Sequence, residues 1–266
     1  GCHSHYSPLN LPQAIQNSCN AYFCNVFRRI IEDPKFANSA EALDNWKERV
    51  MSFGFGQKLQ TDFTNELSGS VPGSSLYNSI YGENRWKFIT VISLAIGQGE
   101  LAITPIQMAN MTCAIANKGY FYRPHVIKSI VGKDEIDPRF MEKQHTAFDT
   151  SHFAVVIEGM EAAVNGGAGS TARIARIPDI TVCGKTGTAE NPHGDDHSIF
   201  VAFAPRKNPK IAISVYIENG GFGSTYAAPV ASLMIEKYLT DTISYSRNWI
   251  EQRMLNANID YSKEDE

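Results

Sequence analysis

Two consecutive apolar runs in the last third of the chain constrain its fold most. Residues 198–204 are apolar at both alternating sets of positions, and residues 211–217 alternate between Ile or Val and other residues. A short turn containing Pro205 and Pro209 separates them, so the two runs are predicted to pair as an antiparallel hairpin. Since both faces of strand 198–204 are apolar, the sheet is expected to be covered on both sides.

Five stretches have the periodicity of amphipathic helices. They span residues 10–31 in two pieces, 39–51, 104–119, 150–164 and 228–239. The helices before residue 165 are expected to cover one face of the sheet and helix 228–239 the other, with Val230, Leu233 and Met234 turned inward. The sequence therefore predicts a mixed α/β fold of the α+β type, with an antiparallel sheet covered by helices on both faces.

The remaining segments are less regular. Residues 53–85 are rich in Gly, Ser, Asn and Pro and indicate a surface excursion, whereas residues 125–131 suggest an edge strand. A linker rich in Gly, Ser and Ala follows helix 150–164. Residues 1–244 are interpreted as one domain, because no composition shift divides them, and residues 245–266 as a polar, loose tail.

Composition argues against several kinds of partner. The 266 residues carry a formal net charge of -4, which gives no reason to expect nucleic acid, and no Lys/Arg run suggests a membrane surface. No apolar run reaches the ~18 residues that a spanning helix needs. The five cysteines are an odd number and are expected to be free thiols. Since the chain opens without a methionine, we expect a fragment whose anchor or targeting signal lies elsewhere.

Residues 179–190 combine a strand pattern with chemistry. Lys185 is followed by Thr186, Gly187 and Thr188. An ammonium and two hydroxyls can hold a carboxylate, and a residue without a side chain lets the backbone of a ligand approach the strand edge. A Lys-Thr-Gly tripeptide also occurs by chance in roughly a few per cent of chains of this length. Taken alone, it is then a strand end followed by a turn.

Two other motifs precede it. Ser18 and Asn20 lie between two helical pieces, which is a rigid place to present two polar side chains, although both residues are also common helix caps. Further on, Gly97-Gln98-Gly99 is followed by a capping box that begins at Thr104 and Pro105. A tight turn into a helix explains that second stretch equally well.

Taken together and in this order, the motifs resemble the transpeptidase domain of penicillin-binding proteins. They are Ser-x-Asn, Gly-Gln-Gly, Thr-Pro-x-Gln and Lys-Thr-Gly-Thr, followed by the Phe-Val-Ala-Phe-Ala-Pro strand at 200–205. The run Ala-Ile-x-x-Ser-Cys-Asn-x-Tyr-Phe at 14–23 is most similar to class B members of the elongation type, penicillin-binding protein 2. The resemblance implies a β-lactamase/transpeptidase-like fold, and it extends to about residue 240. The third family motif, Ser-x-x-Lys, is absent, because no Ser, Thr or Cys is followed three positions later by Lys. The chain is therefore expected to be an incomplete, C-terminal part of such a domain, inactive by itself.

The resemblance also implies a role for each motif residue. Ser18 would relay a proton, Asn20 would donate its amide to a substrate carbonyl, and Lys185 would supply positive charge. The hydroxyls of Thr186 and Thr188, beside Gly187, would bind the substrate carboxylate, and the Thr188 N–H would be half of an oxyanion hole.

Peptidoglycan stem peptides and β-lactam antibiotics are the implied ligands, with no cofactor and no metal. A cell-wall glycosyltransferase is a further implied partner. The parent protein is expected at the periplasmic face of the bacterial inner membrane, held there only by an N-terminal anchor outside this sequence. A β-lactam-sensing or scaffold module without turnover and a serine β-lactamase remain as alternative functions.

Two clusters of possible ligands carry weaker hypotheses. Cys2, His3, His5 and Cys19 could hold zinc, but their spacing fits no compact zinc motif, and disorder of the terminus is the preferred interpretation. His193, His197, Asp195 and Asp196 could form a second acid/base cluster. A solvated loop leading into the next strand is preferred there.

Overall fold

A computed structural model describes residues 2, 4–132, 136–259 and 261 of the protein. The helices are α1 (Leu11–Gln16), α2 (Asn20–Ile31), α3 (Ser39–Met51), α4 (Ser74–Tyr81), α5 (Pro105–Ala116), α6 (Ser151–Asn165), α7 (Ala227–Thr240) and α8 (Asn248–Leu255). The strands are β1 (Tyr120–Phe121), β2 (Gln144–His145), β3 (Cys183–Ala189), β4 (His197–Ala204) and β5 (Ile211–Ile217). Each helix predicted from periodicity is present, and so is the hairpin.

The chain forms two compact units. The helical unit comprises Cys2 and Cys19–Thr150, with α2 to α5, β1 and β2. The sheet unit comprises residues 4–18 and the described residues from 151 onward, with α1, α6 to α8 and β3 to β5. Composition predicted a single domain over residues 1–244, and that the two units behave as one domain stays a prediction.

Strands β3, β4 and β5 form an antiparallel sheet in that order. Phe200, Ala202 and Ala204 on one face of β4 join a buried cluster with α7, while Val201 and Phe203 on the other face are also buried. α1 packs against α6, and α6 packs against β3. Both faces of the central strand are thus covered, and the predicted fold class is confirmed.

Helix α7 buries a different face from the one predicted. Val230 and Leu233 are only partly buried, and Met234 is exposed. The inward residues are small or polar, with Ile235 as the one large apolar member: Ala227, Ala228, Pro229, Ala231, Ser232, Ile235 and Glu236. Small side chains let the helix approach the sheet closely, which periodicity of large apolar residues does not reveal.

The segment predicted to be a loose tail is folded up to residue 255. A 3-10 turn at Tyr245–Arg247 leads into α8, where Ile250 is buried. The Arg247 Nε lies 2.8 Å from Glu236 Oε2, and both side chains are about 95% buried. The Arg247 guanidinium also donates to the Arg176 carbonyl and to Ser232 Oγ. A buried ion pair that is fully enclosed needs such additional hydrogen bonds to offset the desolvation of its charges.

The helical unit has its own core. Tyr77, from the region predicted to be a surface excursion, and Trp86, just after that region, are buried against Phe27, Ile31 and Leu43. The edge strand expected at 125–131 is not found as a regular strand among the described residues. Instead, β1 pairs with β2. Residues 53–85 were expected to carry short elements at the surface, and α4 is such an element, but its Tyr77 is buried. The high Gly and Ser content of the segment gave no sign of this anchor.

Helix α5 turns polar residues inward. Its buried residues are Gln107, Asn110, Thr112 and Ala114, whereas an amphipathic helix is expected to bury its large apolar residues. The Gln107 Nε2 lies within hydrogen-bond distance of three loop carbonyls, which share its two hydrogens: Gly54 O at 3.1 Å, Gln57 O at 2.9 Å and Ser68 O at 2.8 Å. Since buried carbonyls need a donor, this one side chain organises a loop that has little regular structure of its own.

Replacing Gln107 by Leu is expected to lower the free energy of unfolding by about 3 kcal/mol, because buried carbonyls lose their donor. Urea denaturation followed by the fluorescence of Trp46 and Trp86, which lie in the same unit, measures the change. The matched control is Gln252→Leu on the exposed face of α8, which should change stability by less than about 0.5 kcal/mol. Equal effects of the two substitutions would contradict the assigned role of Gln107.

Candidate active site

The turn after α1 presents the first candidate residue, Ser18. Helix α1 begins at a capping box in which Asn10 and Gln13 bond each other's backbone N–H groups. After the helix, Ser18 adopts a left-handed conformation with φ 53°, and its N–H donates to Ile15 O at 3.2 Å. This conformation costs a residue other than Gly roughly 1–2 kcal/mol. The surrounding structure therefore holds Ser18 in place.

Close packing of α1 on α6 fixes the position of this turn. A Cβ placed on Gly159 of α6 would lie 2.7 Å from the Ile15 Cβ, so only Gly fits at this crossing. Asn17, which precedes Ser18, is buried and donates to Gln13 O at 2.9 Å. The Ser18 hydroxyl is consequently presented from a rigid helix end.

Lys185 on β3 meets this hydroxyl. Its Nζ lies 2.8 Å from Ser18 Oγ and 2.8 Å from Thr186 O. Lys185 pairs with Val201 of β4, so its side chain leaves the sheet on the face opposite that of α7. The convergence of Ser18 and Lys185, 167 residues apart in the sequence, is thus observed.

Burial lowers the pKa of Lys185. The Lys185 side chain keeps partial exposure to solvent, while desolvation of its ammonium lowers the pKa to about 8. An ammonium has only donors, so the protonated Lys185 leaves the Ser18 hydrogen available to another acceptor. The neutral amine can instead accept that hydrogen. A pair of this kind can pass a proton in either direction near neutral pH.

The rest of the Lys-Thr-Gly-Thr motif lies along β3. Thr186 Oγ1 lies 3.2 Å from Thr171 Oγ1, and Thr188 stands opposite Ser198 in the register. Among the described residues, β3 pairs with another strand only on its β4 side. Gly187 and its neighbours therefore occupy an edge strand, the position at which an extended peptide could be added.

Asn20 belongs to the helical unit. It is the first residue of α2, whose N-cap is Cys19, and its side chain is partly exposed. The convergence of Asn20 with the pair formed by Ser18 and Lys185 stays a prediction. So do the catalytic roles assigned to all of these residues.

Two supporting features escaped the sequence analysis. The first is Thr171, in the segment interpreted as a linker. This segment is fixed: Ala172 N donates to Ala163 O at 2.9 Å, and Gln16 Nε2 donates to Ser170 Oγ at 3.2 Å. A Gly-rich composition concealed its hydroxyls, and only their position just before β3 could have drawn attention to them.

The second feature is a loop that packs closely against β3 and β4. The buried Ser198 Oγ donates to Phe222 O at 2.9 Å and accepts from Ala227 N at 3.1 Å. These two hydrogen bonds hold the loop before α7, in which Gly223 packs closely against the backbone of β3. A Cβ on Gly223 would lie 2.6 Å from Gly187 O. This loop therefore sets the position of the Gly187 backbone.

The two weaker ligand clusters resolve differently. Cys2 Sγ lies 3.7 Å from Cys19 Sγ and accepts from Ala21 N at 3.1 Å, so Cys2 is held against the start of α2 rather than disordered. His5 belongs to the sheet unit, and His3 lies outside the described residues.

At the start of β4, His197 Nδ1 accepts from Asn219 N at 3.2 Å. Asn191 crosslinks the loop between β3 and β4 through Asn219 Oδ1 at 2.8 Å, and Asp196 Oδ1 accepts from the Asn191 N–H at 3.4 Å. These contacts fit the preferred interpretation of a partly exposed loop.

Comparison with known proteins decides the family. The family model described as "Penicillin binding protein transpeptidase domain" matches residues 2–236. The chain belongs to this family. Its fold is that of the β-lactamase/transpeptidase type.

Individual members of the family resemble the chain over most of its length. The peptidoglycan D,D-transpeptidase MrdA of Haemophilus influenzae is 29% identical over 90% of the chain and 37% of that relative. The structure of Pseudomonas aeruginosa PBP2 in complex with WCK 5153 matches with a TM-score of 0.74 and 33% identity, over 90% of this chain and 50% of that one.

A chain from a structure named "Structural coordination of polymerization and crosslinking by a peptidoglycan synthase complex" matches with a TM-score of 0.72 and 28% identity. That match covers 90% of this chain and 39% of the other. The chain thus spans between about a third and a half of the length of these relatives. No described helix is both long and apolar enough to cross a lipid bilayer.

Replacing Lys185 by Met is expected to change how stability depends on pH. The unfolded chain keeps the lysine proton up to the ordinary pKa of 10.5, whereas the folded chain releases it near pH 8. Between these values the unfolded state binds more protons, so raising the pH stabilises the wild-type fold relative to the variant. The gain is at most about 3 kcal/mol. Partial exposure of the side chain reduces it through solvent screening.

Urea unfolding of both proteins between pH 7 and pH 10.5 measures this difference. Other groups that titrate in the range are common to the two proteins and largely cancel. A difference in unfolding free energy that stays constant with pH would show that Lys185 keeps its ordinary pKa.

Replacing Gly223 by Ala is expected to destabilise the fold by about 2 kcal/mol, because the added methyl group would overlap backbone atoms of Ile199 in β4 and Gly187 in β3. The control is Gly167→Ala, where an added Cβ meets nothing within 4 Å. That substitution should be neutral or stabilise by about 0.5 kcal/mol through the unfolded state. Thermal unfolding of the two variants gives the sign of each effect, and a neutral Gly223→Ala would rule out the close approach.

Proposed function

We propose that this chain is part of a peptidoglycan D,D-transpeptidase, an enzyme that crosslinks stem peptides through a serine acyl-enzyme. The observation that carries the proposal is the 2.8 Å contact between Lys185 Nζ and Ser18 Oγ in a chain of the penicillin-binding transpeptidase family. A desolvated lysine beside a hydroxyl, next to an edge strand, suits acyl transfer on an extended peptide.

In the proposed reaction, a serine outside the printed residues attacks the carbonyl of a D-alanyl-D-alanine stem peptide. The terminal D-alanine leaves as an amine after it receives a proton, and the acyl group remains as an ester on the serine. An amine of a second stem peptide then attacks the ester, forms the crosslinking amide and returns the proton to the serine. Each half-reaction needs one proton moved between the serine oxygen and an amine.

Ser18 and Lys185 are assigned to this proton transfer. Ser18 donates its hydrogen to the leaving amine, while Lys185 replaces it or stabilises the oxygen left behind. With a pKa of about 8, Lys185 is close enough to neutral pH to serve in either protonation state. Asn20 is assigned to a substrate carbonyl. Thr186 and Thr188 are assigned to the carboxylate, and the Thr188 N–H to the oxyanion.

Localisation and partners follow from the same assignment. We place the parent protein at the periplasmic face of the bacterial inner membrane, where it acts on the cell wall in the elongation that maintains cell shape. One relative belongs to a complex that coordinates polymerization and crosslinking. This relationship supports a glycosyltransferase as the partner of the parent protein. β-Lactams are the expected inhibitors.

The proposal is tested by labelling with a fluorescent penicillin. A protein extended upstream to include a Ser-x-x-Lys segment should be labelled, and the 266-residue chain alone should not. Lys185→Ala and Ser18→Ala in the extended protein should each slow labelling by at least about 100-fold, the usual contribution of a proton-transfer group. Lys207→Ala, an exposed lysine in the β4–β5 turn, is the control.

Product analysis separates the alternative functions. A transpeptidase transfers the acyl group of a stem peptide to an added amine, a β-lactamase releases its label by rapid hydrolysis, and a sensor keeps the label without forming any crosslink. Unlabelled extended protein, folded as judged by circular dichroism, would disprove the catalytic assignment.

A further inference from the structure

A chain of three hydroxyl and carbonyl groups runs from the Lys-Thr-Gly motif to the end of α1. Thr186 Oγ1 lies 3.2 Å from Thr171 Oγ1, and Thr171 Oγ1 lies 3.4 Å from Gln16 O. At the other end, Lys185 Nζ lies 3.5 Å from Thr186 Oγ1. All of these residues belong to the sheet unit.

The direction of these hydrogen bonds follows from the last acceptor. A carbonyl oxygen can only accept, so Thr171 donates its single hydrogen to Gln16 O. Thr186 must then donate to Thr171. In this arrangement the Thr186 hydrogen points away from any ligand, although a ligand carboxylate needs a donor. Carboxylate binding therefore requires the Thr186 hydrogen to turn.

Thr171 is placed to compensate for that turn. Its bond to Gln16 O is long, at 3.4 Å, and therefore weak. Its neighbour in the sequence is fixed, since Ala172 is fully buried and Ala172 N donates to Ala163 O. The Thr171 hydroxyl can rotate its hydrogen from Gln16 O to Thr186 Oγ1 without any movement of the backbone.

We propose that Thr171 is a positioning residue for ligand carboxylate recognition. When the Thr186 hydroxyl donates a hydrogen bond to the carboxylate, the Thr171 hydroxyl rotates and donates its own hydrogen bond to Thr186 Oγ1. This reversed hydrogen bond holds the Thr186 hydroxyl in the orientation that faces the ligand. No covalent bond is formed or broken, and no proton is transferred. This inference rests on the proposed function and adds a residue outside the three family motifs.

The test uses the extended protein with its upstream Ser-x-x-Lys segment, and three variants. Thr171→Val removes the hydroxyl at nearly constant volume, and Thr171→Ser keeps the hydroxyl. Ser170→Ala removes a neighbouring hydroxyl that bonds Ala162 O and the Gln16 side chain but neither Thr186 nor Thr171. For each protein, the second-order acylation rate is measured with a penicillin that has a free carboxylate and with its methyl ester.

With the free acid, Thr171→Val should lower the rate by about five- to tenfold, the effect of losing one hydrogen bond. With the ester it should leave the rate unchanged. Thr171→Ser should restore the wild-type ratio of acid to ester rates, and Ser170→Ala should preserve that ratio. Thermal unfolding checks that every variant is folded.

Two results with labelled wild-type protein would overturn this inference alone. The first is an unchanged acid rate in Thr171→Val, and the second is an equal loss with acid and ester, which indicates a general structural role. Wild-type protein that is not labelled by either compound would instead overturn the proposed function, and this inference with it.

Discussion

The contact between the Lys185 amine and the Ser18 hydroxyl is the interaction on which the site depends. It joins the end of a short helix to an edge strand 167 residues later in the sequence. Burying an amine without partners is costly, and Ser18 Oγ and Thr186 O supply the acceptors that its hydrogens need. Both acceptors exist only if α1 lies on α6 and β3 keeps its register.

Three small or hydroxyl-bearing residues outside the motifs maintain that geometry. Gly159 lets α1 lie close to α6, Ser198 clamps the loop before α7, and Gly223 allows that loop to reach β3. None of them has the charge or chemical reactivity that attracts notice in a sequence. The precision of a site is set largely by such residues, since a displacement of even 1 Å can remove catalytic geometry.

Much of the fold could be predicted from the sequence. The bounds of β5 and the helix at 39–51 agree with the structure, because strong periodicity with clear caps specifies an element well. The buried faces of α5 and α7 could not be predicted. In α5 a buried amide satisfies distant carbonyls, as Gln107 shows, and in α7 alanines allow close packing. Neither effect is local, so neither appears in a pattern of apolar residues.

For the site, the resemblance to penicillin-binding transpeptidases assigned Ser18 and Lys185 to the same reaction, whereas Thr171 could not be found. It lies in a Gly-rich stretch without periodicity, and its role depends on a carbonyl of Gln16 that is far away in the sequence. Hydrogen-bond partners between remote segments become apparent only when the fold brings them together.

The buried ion pair of Glu236 and Arg247 limits where the C-terminus of this protein can be truncated. Glu236 lies in the last helix that covers the sheet, while its partner lies beyond residue 244, at which the sequence suggested that the domain ends. Ending the chain at residue 244 would leave the Glu236 carboxylate buried without its cationic partner. It would also expose the surface against which Ile250 packs. An expression boundary for the transpeptidase domain therefore belongs after residue 255, at the end of α8.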